Sequence, residues 1–186
     1  DKLFISGNTY SASPNTIFSV VRYGNVMGSR GSVIPLFLKN KNKNSLPITD
    51  ERMTRFMITL EEGVKLVWDA FMDMKGGETY VKKIKSMKVT DIALTINPRA
   101  KFEIIGIRPG EKLHEQMITL EDAPFTYEYK DYFKILPLIN NWFQDPERIK
   151  SGTLVGDDFV YSSNLNKEWM SREELQNWIN KNDSKI

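Results

Sequence analysis

The feature that most constrains the fold is a three-part run near the amino terminus. Ile17-Phe-Ser-Val-Val-Arg-Tyr23 is followed at once by a loop holding Gly24, Gly28 and Gly31, and then by the apolar stretch from Val33 to Leu38. β-Branched and aromatic residues that are continuously apolar in their middle are the pattern of a short strand buried in a parallel sheet. Glycines then allow a sharp reversal, and Pro35 stands early enough to sit in a first helical turn. A strand, a glycine loop and a helix in that order predict an α/β chain.

The remainder keeps the alternation. Polar tracts at Ser11 to Thr16 and Lys39 to Ser45 read as loops. Thr59-Leu-Glu-Glu62 has capping-box spacing, and Leu60, Val64, Val67, Trp68, Phe71 and Met72 recur at helical intervals until Gly76-Gly77; the Trp68, Phe71 and Met72 stripe reads as core packing before it reads as a cofactor box. A strand over Glu78–Val81, a helix through Val89, Ile92, Ala93 and Ile96, and a strand over Phe102–Gly106 follow. Ser171-Arg-Glu-Glu174 opens a terminal helix with Leu175, Trp178 and Ile179 behind it. Asp1-Lys-Leu-Phe-Ile-Ser lacks an initiator methionine and reads as the tail of a helix already under way, so the chain is expected to be a piece of a longer protein.

Composition narrows the functional classes. The 186 residues suffice for a real core, and the net charge of +2, with both signs interspersed, marks no nucleic-acid patch. Absence of cysteine excludes disulfides, thiolate metal sites and cysteine nucleophiles, and fits the reducing cytoplasm. No apolar run approaches a membrane span, and no signal-peptide layout opens the chain, so no membrane partner is expected.

Three segments carry candidate chemistry. Tyr23-Gly-Asn-Val-Met-Gly-Ser-Arg-Gly31 can cradle a ligand on its backbone amides, or can simply be a turn that needs positive φ. Its G-x-x-x-G-x-x-G spacing is not the dinucleotide fingerprint, and no acidic residue closes a second strand about 20 residues on. Pro47-Ile-Thr-Asp-Glu-Arg-Met-Thr-Arg-Phe56 mixes arginines, hydroxyls and carboxylates, and otherwise reads as a solvated loop with local ion pairs. In Gly106-Ile-Arg-Pro-Gly-Glu-Lys-Leu-His-Glu115 a strand reaches a proline-glycine turn and then a predicted helix with Glu111 in its first turn. Arginine there suits a bidentate grip on diphosphate, although an arginine in a turn is more often structural. His114, the single histidine, has no acidic cluster at ligand spacing; it reads as a hydrogen-bonding helix residue, and no metal site is predicted.

Taken together, RYGNVMGSRGSVIP, ITDERMTRFMITLEEG, KKIKSMKVTDIA and IIGIRPGEKLHEQMI, with YSSNLNKEWMSREEL as a closing segment, resemble in order and spacing the inverting UDP-N-acetylglucosamine 4,6-dehydratases. These belong to the polysaccharide-biosynthesis group of extended short-chain dehydrogenases. The resemblance covers about residues 1–180. It implies the last strands of a Rossmann-type parallel sheet plus a smaller α/β substrate-binding domain. Residues 1–45 would finish the NADP-binding domain, whose amino-terminal half is missing, and 46–186 would form the substrate domain, interleaved with the sheet.

The same resemblance implies the chemistry. NADP takes a hydride from C4 of the sugar, water leaves across C5 and C6, the hydride returns to C6, and reprotonation inverts C5, giving a 4-keto-6-deoxy sugar for pseudaminic-acid-type or other surface glycans. The family's Y-x-x-x-K pair lies just ahead of the segment matching Asp1-Lys-Leu-Phe4, and its Asp-Lys acid/base pair and glycine-rich NADP loop lie further upstream, so no catalytic residue is assigned in this chain.

By resemblance, Val26, Met27, Gly28, Ser29 and Arg30 face the nicotinamide side of the cofactor. Asn25, Val33 and Thr49 touch the UDP-sugar, and Arg108 and Glu111 hold diphosphate and ribose. The full-length protein is implied to be a homo-oligomer. Lys85 departs from a proline common in the family's K-I-P-S-M turn. A UDP-sugar 4-epimerase or retaining dehydratase of the same superfamily shares the clasp, and a non-catalytic UDP-sugar-binding module is the alternative of another class.

Overall fold

The computed structural model describes residues 1–10 and 16–182; most of the polar loop expected at 11–16 lies outside the described residues. In chain order the elements are α1 (Lys2–Tyr10), β1 (Val20–Arg22), β2 (Asn25–Val26), α2 (Val33–Lys39), β3 (Ser45–Ile48), β4 (Thr54–Ile58), α3 (Leu60–Asp73), β5 (Thr79–Lys82), β6 (Ser86–Lys88), α4 (Val89–Ile96), β7 (Lys101–Ile104), β8 (Gln116–Ile118), β9 (Thr126–Glu128), β10 (Tyr132–Ile135), α5 (Pro146–Ile149), β11 (Thr153–Leu154), β12 (Tyr161–Ser162) and α6 (Arg172–Asn182). The α/β class predicted from the alternation is the class observed, with parallel pairing between β1 and β5, β2 and β4, and β3 and β7. No described helix is long and apolar enough to cross a membrane.

The chain divides into two compact units, each assembled from three segments: Asp1–Tyr23 with Glu61–Lys83 and Met117–Tyr161, and Gly24–Leu60 with Ile84–Gln116 and Ser162–Ile186. In the first, five strands run in the order β1-β5-β10-β9-β11, and α3 lays Leu66 and Ala70 against Tyr80. A charged node closes this unit. Lys134, buried under the rings of Tyr80 and Tyr129, donates to Asp73 at 2.7 Å, and Lys150 and Tyr80 donate to the same carboxylate. Burial alone would raise the Asp73 carboxyl, but the hydrogen bonds from Lys134, Lys150 and Tyr80 outweigh it and bring it down to about 2. Burial pushes the Tyr80 hydroxyl strongly up.

Two sequence expectations are corrected in this unit. β1 is parallel as expected, but where the sequence pattern predicts a buried strand it is half-buried, with β5 alone beside it among the described residues. The stripe of α3 through Leu60, Val64, Val67, Trp68, Phe71 and Met72 is not core. All six are exposed, Met72 by 81%, and Trp68 and Phe71 meet edge to face on the surface. The buried face of the helix is the line Gly63, Leu66 and Ala70. Helical spacing reveals an apolar stripe, and α3 has two of them.

In the core of the second unit Ile34 and Phe37 of α2, Leu46 and Ile48 of β3, Ile92 and Ala93 of α4, and Leu175 and Ile179 of α6 pack together. Here the local signals read correctly. Ser171 and Glu174 exchange side-chain-to-backbone hydrogen bonds at the start of α6, the reciprocal pairing of a capping box. Lys85 forms an ion pair with Glu174 at that same helix start.

Candidate functional site

All ten residues proposed to touch ligand fall in the second unit. The glycine loop and the 106–115 segment are tied to the two ends of β4, and Thr49 follows β3. Met57 and Ile58, at the carboxy-terminal end of β4, pair in parallel with Asn25 and Val26, and the Met27 amide continues the ladder to the Ile58 carbonyl at 2.9 Å. Gly24 has no room for a side chain: a Cβ there would lie 2.5 Å from both Cβ and the carbonyl oxygen of Phe56. The chain then turns through Gly28 and Gly31, both at φ +76, with the Ser29 amide bonded to the Val26 carbonyl, and enters α2 at Val33. Both glycines therefore occupy backbone that side chains avoid, so the turn explanation for them holds whether or not the loop also binds ligand.

Within this loop the side chains divide. Ser29 and Arg30 are exposed, whereas Met27 is 7% exposed and packed into the core, so what it can offer a ligand is its carbonyl. Ser32, which precedes α2, was missed by sequence reasoning. Its hydroxyl oxygen is buried and has no hydrogen-bond partner among the described residues. An unpaired buried hydroxyl calls for an explanation, and a polar ligand group lying along the glycine loop is one.

At the amino-terminal end of β4, Thr54 bridges to His114 and its amide donates to the Leu113 carbonyl at 3.2 Å. The Thr54 hydroxyl lies 2.8 Å from His114 Nδ1 and 2.6 Å from the Ser163 hydroxyl, and Ser163 accepts the Glu115 amide at 2.9 Å. The helix expected after Gly110 is absent, because the backbone of 113–114 is spent on β4 rather than on helical bonds. His114 accordingly sits in an extended segment and not in a helix.

Strands β3 and β7 are parallel and in register from Ser45↔Lys101 to Ile48↔Ile104, and Ile105 donates to the Ile48 carbonyl at 2.9 Å. Thr49 and the turn that follows Ile105 therefore leave the same end of the same pair of strands. In that turn Gly106 and Gly110 have φ +81, and the Glu111 carboxylate accepts the Arg108 amide at 3.3 Å. Arg108 is exposed, and its guanidinium has no hydrogen bond or ion pair among the described residues. Beside Thr49, Asp50 takes three hydrogen bonds from Arg52, whose guanidinium holds the Asp50 carboxyl down to about 2. The structure thus groups Thr49, Arg108 and Glu111 at one sheet end and Asn25 to Val33 along the glycine loop. At about 3.3 Å per residue, the two anchor points on β4 are roughly 13 Å apart.

Arginine and carboxylate on one turn, with a glycine loop across β4, can engage a phosphate-bearing ligand with sugar hydroxyls. Neither G-x-G-x-x-G nor Y-x-x-x-K occurs in the chain. Among the described residues no group of three or more His, Cys, Asp or Glu side chains is placed to hold a metal ion.

The family described as "Polysaccharide biosynthesis protein" matches residues 1–137. The chain is 48% identical over 187 aligned positions to the UDP-N-acetylglucosamine 4,6-dehydratase (inverting) of Campylobacter jejuni, covering 97% of this chain and 56% of that protein. It is 36% identical over 140 positions to the UDP-glucose 4-epimerase of Rickettsia rickettsii, covering 73% of this chain and 41% of the relative. Among solved structures, the X-ray structure of Pen from Bacillus thuringiensis superposes with a TM-score of 0.82 at 34% identity, covering 98% of this chain and 55% of that one. The chain spans about half the length of the curated relatives it matches.

Proposed function

We propose, from the premise that the chain belongs to the polysaccharide biosynthesis protein family, that it is the carboxy-terminal, UDP-sugar-binding portion of an NADP-dependent UDP-N-acetylglucosamine 4,6-dehydratase. The observation that carries this reading is the parallel register of β3 and β7, which brings Thr49 to the same sheet end as Arg108 and Glu111. In this reading Arg108 grips the diphosphate, Glu111 accepts ribose hydroxyls, and Asn25, Val33 and Thr49 line the nucleotide sugar. Val26 to Arg30 run along the nicotinamide side of the cofactor, with the Ser32 hydroxyl as a further polar contact.

Bound NADP would supply reversible hydride transfer to and from the sugar. The residues of this chain orient the sugar nucleotide and carry no proton transfer of their own, so the 186-residue polypeptide alone is inactive. The finer parts of the proposal are inversion at C5, lyase chemistry, a product destined for pseudaminic-acid-type or other surface glycans, a cytoplasmic location and a homo-oligomeric parent. Inversion follows the printed name of the Campylobacter jejuni relative; the others rest on the resemblance of the sequence motifs to the family. The division into a Rossmann remainder at 1–45 and a substrate domain at 46–186 rests on that resemblance alone. The Rickettsia relative favours a second reading, a UDP-sugar 4-epimerase with the same clasp.

The test is to incubate the full-length parent with UDP-N-acetylglucosamine and follow the sugar by NMR. The proposal expects a 4-keto-6-deoxy product inverted at C5. A C4 epimer would establish the second reading, and binding without turnover would leave a non-catalytic module.

A further inference from the structure

Arg55 lies on β4 between the two ligand-facing segments, and its side chain is only 11% exposed. Nη1 donates to the carbonyls of Thr54 at 2.8 Å and Leu113 at 3.1 Å, and Nη2 points to the Met53 sulfur at 3.4 Å. The same guanidinium forms ion pairs with both carboxylates that flank Leu113, Nη2 to Glu111 at 3.8 Å and Nε to Glu115 at 3.5 Å. Glu111 in turn accepts the backbone amide of Arg108. One planar fork thus reaches the segment Glu111-Lys-Leu-His-Glu115 at both ends and in its middle.

We infer that Arg55 is a positioning residue for nucleotide binding: it touches no ligand itself and sets the Arg108–Glu111 turn through Glu111 and the Leu113 carbonyl. The inference rests on the UDP-sugar reading of that turn. The geometry argues for positioning over a merely local ion pair. The segment forms no helix, its turn contains two glycines at positive φ, and the Arg108 side chain is unpartnered among the described residues, so the turn needs support from outside itself. A guanidinium meets a carbonyl and two carboxylates at once because its five donors lie in one plane, whereas a lysine ammonium is a point charge that reproduces only the attraction.

The experiment uses the full-length parent with Arg55→Gln, Arg55→Lys, Glu111→Gln and the double variant Arg55→Gln/Glu111→Gln. Three readouts are followed: UDP affinity by calorimetry, kcat and KM for UDP-N-acetylglucosamine, and amide exchange over residues 108–115. Arg55→Gln is expected to weaken UDP binding and raise KM by about tenfold, the scale of one charge-assisted hydrogen bond, with kcat within about threefold. Arg55→Lys should recover part of that loss, exchange should speed up across Leu113–Glu115, and Glu111→Gln should cost less in the Arg55→Gln background than alone. Unchanged KM with unchanged exchange overturns the inference. So do fully additive effects, or losses in kcat and KM that merely track the fraction of unfolded protein. If the wild-type parent fails to bind UDP, the ligand reading falls, and the exchange arm still decides whether Arg55 braces the segment.

Discussion

The two segments that β4 holds are built in opposite ways. Gly24 to Val33 is fixed by backbone: a strand ladder to Met57 and Ile58, a glycine pressed against Phe56, and a Met27 side chain sunk in the core. Gly106 to Glu115 is exposed over its first half and, beyond the backbone pairing of Leu113 and His114 with Thr54, is fixed by side chains, with Arg55 paired to Glu111 and Glu115, and Ser163 accepting the Glu115 amide. A backbone-built loop has a fixed shape and contributes amides and carbonyls. A segment held by charge tolerates its own sequence less well, yet it presents a free guanidinium. The first suits close approach to a flat cofactor or sugar, and the second suits capture of a charged group.

The contrast can be broken most forcibly at Gly24. Gly24→Val in the parent should cost about 3 kcal/mol, because the added atoms meet the backbone of Phe56, which cannot swing away. Urea unfolding checks this, and a variant of unchanged midpoint would mean that the backbone-built loop yields. Ser163→Ala removes the acceptor for the part-buried Glu115 amide and the partner of the buried Thr54 hydroxyl, and should cost about 1–2 kcal/mol. The same unfolding series should show faster amide exchange at Glu115 and unchanged exchange at Met27.

A reference lies outside both segments, at Asp73. Its folded carboxyl is held near about 2, below the ordinary 3.8, so the stability it contributes is present above about pH 4 and is lost as pH falls from there through about 2. Asp73→Asn should lower stability at neutral pH and flatten the acid limb in that window, as followed by thermal unfolding at pH 7, 4 and 2. Neither ligand segment should respond to it. The smallest effect belongs to Arg52→Ala: its pair with Asp50 is solvent-exposed on the arginine side, and the unfolding midpoint should stay within error.

Where the sequence was legible, a local rule coincided with tertiary structure. The Ser171–Glu174 capping box, the run from Val89 to Ile96 and the strand-glycine-helix unit all appear close to where they were expected. It failed where partners distant in sequence decide. Glu111-Lys-Leu-His-Glu115 is good helix composition, but Leu113 and His114 pair with Thr54, about 60 residues away, and tertiary pairing overrides propensity. β4 overlaps the charged segment 47–56, whose mixed arginines, hydroxyls and carboxylates read as a ligand segment or a solvated loop, although Met53-Thr-Arg-Phe-Met-Ile-Thr59 carries a β-rich signal. The meander from β8 to β11 drew no prediction at all. α3 was assigned correctly as a helix with the wrong face inward, since periodicity does not say which of two apolar stripes meets the sheet.

The central claim is that the Gly106–Glu115 segment is a nucleotide-diphosphate grip centred on Arg108. The most direct measurement is calorimetric titration of UDP into the full-length parent carrying Arg108→Ala. The account predicts affinity weaker by about 1.5–3 kcal/mol, with nicotinamide content and thermal midpoint unchanged, since Arg108 is exposed and bonded to no described side chain. UDP affinity equal to that of the unmodified parent would contradict it.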